Sequence, residues 1–358
     1  MTGLSIREDL AAIPEYRQGK SASADLSDLE TYKISSNENP YTPLPSVQTL
    51  IAELAGTVNR YPDSSGAALV GALSEQHGVA TENIVLGSGS IEIMSQLIRA
   101  TAGPGDEVLF AWRSFEAYPM LVRAGGAEPV MVPLDADLCH DLDAMLAAIT
   151  DRTRLILVCN PNNPTGTTVS AEALERFLEQ VPENITVVID EAYQHFNRQE
   201  DAPVGVEIFK RRSNIAVAHT FSKAYGLAGL RVGYAIAPAP LARAMRAVAI
   251  PFGVTAFAQA AAVLSLEVED ELQVRVDALI AERERVVEAL ALAGVSHPET
   301  QANFVWLPLG EATPEAATLL EQAGLIVRPF PGEGLRATIA ETEANDRLIA
   351  FAKSLQRN

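Results

Sequence analysis

Only two cysteines, Cys139 and Cys159, occur in 358 residues. That is too few for a disulfide framework and fits a reducing compartment. Basic residues are scarce as well: 27 Lys and Arg against 46 Asp and Glu give a formal net charge of −19. Such a chain repels nucleic acid and anionic membranes, so neither is expected as a partner. A small anionic ligand is not excluded, because it needs only a local cluster of cations. No apolar run approaches the length of a membrane span. The opening stretch MTGLSIREDLAAIPEY carries charges where a signal peptide would be apolar, so none is expected. The sequence has no internal repeat and no low-complexity segment, and no metal is expected. A cytoplasmic location follows as the expectation.

What is present is an ordinary globular composition, 48% hydrophobic and 20% charged, with a mean hydropathy of +0.10. The length allows a large core and predicts more than one domain. Short β-rich runs alternate with helical patterns: NIVLGSG, EVLFAW, EPVMVPL, RLILVCN, ITVVIDEAY, IAVAHTF and VGYAIA. Most are almost wholly apolar, as strands covered on both faces must be. Helical patterns over residues 91–102, 141–149 and 171–180 separate them. This is an α/β pattern with a mostly parallel sheet of about seven strands. After Pro251 the texture changes. One long helical stretch is predicted over residues 257–293, ending at Gly294 as C-cap, followed by strands NFVWLPL, LIVRPF and LRATIA. The expected organisation is an N-terminal arm (1–35) packing on a small α+β domain (251–358), with a large domain (36–250) between them.

One cation stands out. In AHTFSKAYGLAGLRVGYAI, Lys223 sits among small and apolar residues, directly after a hydroxyl residue, with Arg231 further along the same stretch. An ammonium in an apolar pocket is costly, so it lowers its pKa, pairs its charge or forms a covalent bond. In open α/β sheets ligands gather at the carboxyl ends of strands. Four predicted ends carry unusual residues: Asn163 in PNNPTG, Asp190 with Tyr193 in DEAY, Thr220–Ser222–Lys223, and GSGS before a helix. Singly, each has an ordinary explanation as a turn, an N-cap or a Gly-rich connection. Together, an amide, an acid with a phenol, and a lysine in a hydroxyl-rich turn suit one planar heteroaromatic ligand.

These motifs carry a resemblance. SNENP, NRYPD, PNNPTG, DEAY, SKAYGLAGLRVGY, QANFVW and LRATIA fall in the order found in fold-type I pyridoxal-phosphate aminotransferases. The branch is that of the histidinol-phosphate and aromatic amino-acid enzymes, and the resemblance covers essentially the whole chain. It implies pyridoxal 5′-phosphate as cofactor, carried covalently on Lys223 as a Schiff base, with Lys223 then shuttling the substrate proton. An apolar site and a nearby cation, taken to be Arg231, would lower the lysine pKa. The resemblance further implies that Arg231, Thr220, Ser222 and the amides of Gly89 and Ser90 hold the phosphate. Asp190 would pair with the pyridine nitrogen, Asn163 and Tyr193 would bond the ring oxygen, and Phe115 would stack on the ring. Tyr61 would reach across a homodimer interface to the neighbouring subunit's phosphate. Arg336 would grip the substrate carboxylate, or a phosphate, with Arg328 as a second anion-binding arginine, the one read on an edge strand. Tyr16 and Asn37 would close over the substrate.

The expected reaction is transamination between an amino acid and a 2-oxo acid. WRSFEAYP, AIPFGV and SSNENPYTPLPSV resemble the actinobacterial-type aromatic (phenylalanine) aminotransferases more than the histidinol-phosphate enzymes, which remain the alternative. A non-catalytic cofactor-binding module has no extra domain or basic face to support it. A decarboxylase would have to expose the carboxylate that Arg336 would hold.

Overall fold

The computed structural model describes residue 13 and residues 29–355. In chain order its strands are β1 (Tyr32–Lys33), β2 (Ile84–Gly87), β3 (Glu107–Trp112), β4 (Glu128–Pro133), β5 (Thr153–Cys159) and β6 (Thr186–Asp190). They continue with β7 (Ile215–Thr220), β8 (Gly233–Ile236), β9 (Phe304–Leu307), β10 (Leu325–Ile326), β11 (Arg328–Phe330) and β12 (Gly334–Thr338). A seven-stranded sheet runs in the order β2-β8-β7-β6-β5-β3-β4. Only β8 is antiparallel to its neighbours. The carboxyl ends of β2, β5, β6 and β7 therefore share one edge of the sheet. Each apolar run named in the sequence for this sheet supplies one of its strands.

The strands are apolar throughout because both faces are covered, and side chains alternate between two packed clusters with the pleat's period of two. Ile156, Val158, Val187, Ile189, Ile215 and Val217 pack on one side, with Leu174 and Phe177 of the helix Ala171–Leu178. Leu155, Leu157, Cys159, Val188, Ala216 and Ala218 pack on the other, with Ile93 and Leu97 of the helix Ser90–Thr101 and Tyr118 and Val122 of Ala117–Gly125. Burying each such Leu, Ile or Val stabilises the fold by about 1.5–3 kcal/mol. The alternation has a consequence at the end of β6. Asp190 follows Val188 by two residues, so it turns toward the face that carries Tyr118.

Beyond residue 250 the structure departs from the sequence reading in two places. The long helical stretch is two helices, Ala256–Glu267 and Glu269–Leu292, broken at Val268 with φ −111° and ψ 30°. The second helix opens on Glu269, Asp270 and Glu271, acids that favour a helix N-terminus. Gly294 ends it as expected, at φ +65°. LIVRPF is two strands: β10 pairs in parallel with β1, whereas β11 joins a three-stranded antiparallel sheet, β11-β12-β9. Arg336 thus lies on the central strand of that sheet, while Arg328 is on the edge strand β11 and directly opposite Arg336. The main apolar cluster is continuous from Ile189 of the large sheet to Leu272, Phe304 and Leu335. Among the described residues, no helix is long and apolar enough to cross a membrane.

Candidate active site

A cavity of about 230 Å³ opens at the carboxyl edge of the large sheet, closed from the other side by the three-stranded sheet. Asn37, Ser90, Phe115, Asn163, Asp190, Tyr193, Thr220, Ser222, Lys223, Arg231, Arg328 and Arg336 all line it. The strand ends bring together side chains that lie as far apart as residues 37 and 336. Gly89 is not among the lining residues. Tyr16 lies outside the described residues, and Tyr61 is 83% exposed, stacked on Phe252 with ring centroids 4.7 Å apart.

Lys223 follows β7 in the turn after Thr220. Its Nζ donates to the Ser36 carbonyl at 3.0 Å and lies 5.8 Å from the centre of the Tyr193 ring. Burial lowers its pKa to about 7, and Arg336 is the cation that lowers it most, ahead of Arg231. The sequence named Arg231 for that part. The three-stranded sheet, which the sequence does not place over the lysine, brings Arg336 to it.

Asp190 is 4% exposed at the end of β6. Burial raises its pKa to about 6, opposed by a hydrogen bond from the Tyr118 hydroxyl to Oδ2 (2.6 Å) and by the Ala192 amide (3.3 Å). Asn37 Nδ2 and Asn163 Nδ2 both donate to the Tyr193 oxygen, at 2.9 and 3.2 Å. With its lone pairs so engaged, Tyr193 keeps its own O–H as a donor. Burial pushes that phenol well above its ordinary pKa, so it stays protonated. Phe115 stands edge-on to Tyr118, centroids 5.5 Å apart, which braces the ring that holds Asp190.

At the end of β2 the chain forms a cradle. Gly89 has φ +80°, and a Cβ there would lie 2.3 Å from Arg231 Nη2, so only glycine lets the guanidinium lie against the turn. Arg231 donates to Ser222 Oγ at 3.3 Å and to the Ser88 carbonyl at 3.2 Å. Thr220 Oγ1 accepts from the Ser222 amide at 3.1 Å. The Gly89 amide is taken by the Gly87 carbonyl at 2.7 Å. Of the two amides expected for an anion, that of Ser90 opens the helix Ser90–Thr101, whose first-turn N–H groups have no partners within the helix.

Arg336, 6% exposed, donates to Asn163 Oδ1 and to the Ser35 carbonyl, the latter at 2.7 Å. Arg328 is engaged differently: its Nε and Nη2 form a two-pronged contact with the Glu116 carboxylate at 3.0 and 2.9 Å.

Several contributors are absent from the sequence reading. The motif SNENP supplies Asn37, but Ser35, Ser36 and Asn39 of the same stretch also bind Arg336, Lys223 and the Ala224 carbonyl (2.9 Å). Tyr118 is one helical turn from Phe115, and that spacing was the available signal. Behind the site, Glu191 Oε2 and His219 Nε2 lie 3.5 Å apart, both buried. Burial raises the Glu191 pKa to about 8 and holds that of His219 well below its usual value, so burial disfavours the charged form of each. Among the described residues, no group of three or more His, Cys, Asp or Glu side chains is arranged to hold a metal ion.

This fold and this donor set define a class. Residues 30–351 match the family described as aminotransferase class I and II, and the chain belongs to that family. It is a transaminase of fold-type I architecture, acting between an amino acid and a 2-oxo acid. It is 56% identical over 356 residues to an aromatic amino acid aminotransferase of Streptomyces avermitilis, covering 99% of each chain. It is 53% identical to that of Streptomyces coelicolor, with the same coverage. A solved histidinol-phosphate aminotransferase from Sinorhizobium meliloti, in complex with pyridoxal-5′-phosphate, superposes with a TM-score of 0.88 at 27% identity, covering 99% of each chain.

Proposed function

We propose that the chain is an aromatic amino-acid aminotransferase, taking phenylalanine or tyrosine as donor and 2-oxoglutarate as acceptor. One observation carries the chemistry: Lys223, its pKa lowered to about 7, shares a cavity with a buried carboxylate, two ring-oxygen donors and Arg336. The choice of an aromatic donor is supported by the two Streptomyces relatives, both named for that activity.

The residues fit pyridoxal 5′-phosphate. Gly89, Ser90, Thr220, Ser222 and Arg231 would hold its phosphate, in a cradle where a Cβ at residue 89 would collide with the Arg231 guanidinium. Asp190 would face the ring nitrogen, Asn163 and Tyr193 the ring oxygen, and Phe115 the ring itself. When bound, the cofactor supplies an electron sink for the bonds at the substrate Cα. The chain's residues do the rest. Arg336 binds the substrate carboxylate and orients Cα toward Lys223. Lys223 Nζ, partly neutral at pH 7, takes the Cα proton and returns it. Asp190 holds negative charge where a protonated ring nitrogen needs it, and Tyr193 donates its O–H. Asn37, bonded to Tyr193, and Tyr16 would complete the substrate side.

We place the working enzyme in a homodimer, in the cytoplasm, with an N-terminal arm (1–35), a large domain (36–250) and a small domain (251–358). In that dimer Tyr61 would reach the neighbour's phosphate, consistent with its exposure beside Phe252.

The chemistry is tested by trapping. Borohydride reduction of the cofactor-loaded protein, followed by peptide mapping, should place the pyridoxyl label on Lys223. Lys223→Ala should bind cofactor reversibly and lose transamination. A label on any other lysine overturns the assignment.

A further inference from the structure

Arg328 and Arg336 face each other across β11 and β12, so two guanidinium groups share one side of the sheet at the cavity. Like charges directly opposite each other destabilise a strand pair. Arg328 carries an internal counter-ion. The Glu116 carboxylate binds the Arg328 fork at 3.0 and 2.9 Å, and the two side chains are only 28% and 15% exposed. Arg336 donates to Asn163 Oδ1 and to the Ser35 carbonyl, both neutral groups. The planar fork matches a carboxylate or a phosphate equally well. Any substrate group that seeks Arg328 must therefore compete with a carboxylate already in place.

We propose that Glu116 is a specificity-determining residue that acts through Arg328, rationing the second cation of the site. An amino acid with an uncharged side chain binds while the pair stays closed, so no cation is left buried and unpaired beneath an apolar ring. A second carboxylate or a phosphate on the substrate is admitted only by displacing Glu116. The 2-oxo dicarboxylate acceptor meets this same competition in its own half-reaction. Selectivity here is a difference of two affinities, and Glu116 acts on the anionic partner alone. The role rests on the aminotransferase assignment above, in which Arg336 takes the carboxylate common to all substrates.

Two unreactive probes test it on the cofactor-loaded enzyme: glutarate, with two carboxylates, and 3-phenylpropionate, with one carboxylate and an aromatic ring. Calorimetry gives the Kd of each. Glu116→Gln should tighten glutarate relative to 3-phenylpropionate by about tenfold or more, since the freed fork gains a charged partner. Glu116→Asp, which keeps the charge, should leave the ratio nearer the wild-type value. In an Arg328→Gln background, Glu116→Gln should no longer change the ratio. A ratio unmoved by Glu116→Gln, or moved equally in the Arg328→Gln background, overturns the proposal. Failure of the aromatic assignment would appear separately, as wild-type enzyme that does not turn over phenylalanine or tyrosine.

Discussion

Asp190 is the residue at which burial and hydrogen bonding oppose each other most clearly. Burial raises its pKa to about 6, while the Tyr118 hydroxyl and the Ala192 amide pull the other way by stabilising the charged form. Tyr118→Phe keeps the ring beside Phe115 and Phe110 but removes the hydroxyl. The Asp190 pKa should then rise further, because a bond to the carboxylate is lost while its burial is kept. A carboxylate that must be charged to work is then lost at higher pH. The acidic limb of the kcat/KM profile should move up by about one unit, with a fall approaching tenfold near pH 5 and only about twofold at pH 7, as one pKa unit is about 1.4 kcal/mol. A profile identical to wild type would mean that the Tyr118 contact does not tune Asp190. Single residues were partly legible: Lys223, Asp190, Tyr193, Asn163 and Arg336 were named from motifs and do meet in one cavity. Tyr118 and Glu116 were not, because the spacing of Tyr118 from Phe115 does not tell a site tyrosine from a core one, and nothing in a linear stretch tells a counter-ion from a solvated acid.

At the scale of elements, the central strands were readable because burial on both faces leaves an apolar run with no other explanation. Strand ends were readable for the opposite reason, as polar residues halting such runs. The small sheet was harder. LIVRPF is one apolar-rich run in sequence, yet Val327 separates β10, paired with β1, from β11, paired with β12. Its division depends on Tyr32 and Lys33, some three hundred residues away, and no local pattern encodes that. The break at Val268 was legible in principle, since EVEDE places three acids where a second helix begins. Continuous helical periodicity on both sides concealed it. The same long-range closure brings Arg336 beside Lys223, so the larger cationic neighbour of the lysine came from an element whose position the sequence did not disclose.

At the scale of the molecule, Tyr61 decides whether one chain is enough. It lies outside the cavity, stacked on Phe252, which is 44% exposed. If it serves a neighbouring subunit, Tyr61→Phe should weaken cofactor retention without disturbing the fold. Mixed with Lys223→Ala, it should restore activity, because an exchanged dimer holds one site with both defects and one with neither. Full activity in a strictly monomeric enzyme, measured by sedimentation, would remove that role. The central claim concerns what the assembled enzyme converts. It is tested most directly by a donor panel of phenylalanine, tyrosine and histidinol phosphate, each with 2-oxoglutarate, read as kcat/KM on the cofactor-loaded wild type. The account predicts that both aromatic amino acids exceed histidinol phosphate by at least about tenfold, a difference of roughly 1.4 kcal/mol in transition-state binding. Histidinol phosphate as the best donor would contradict it.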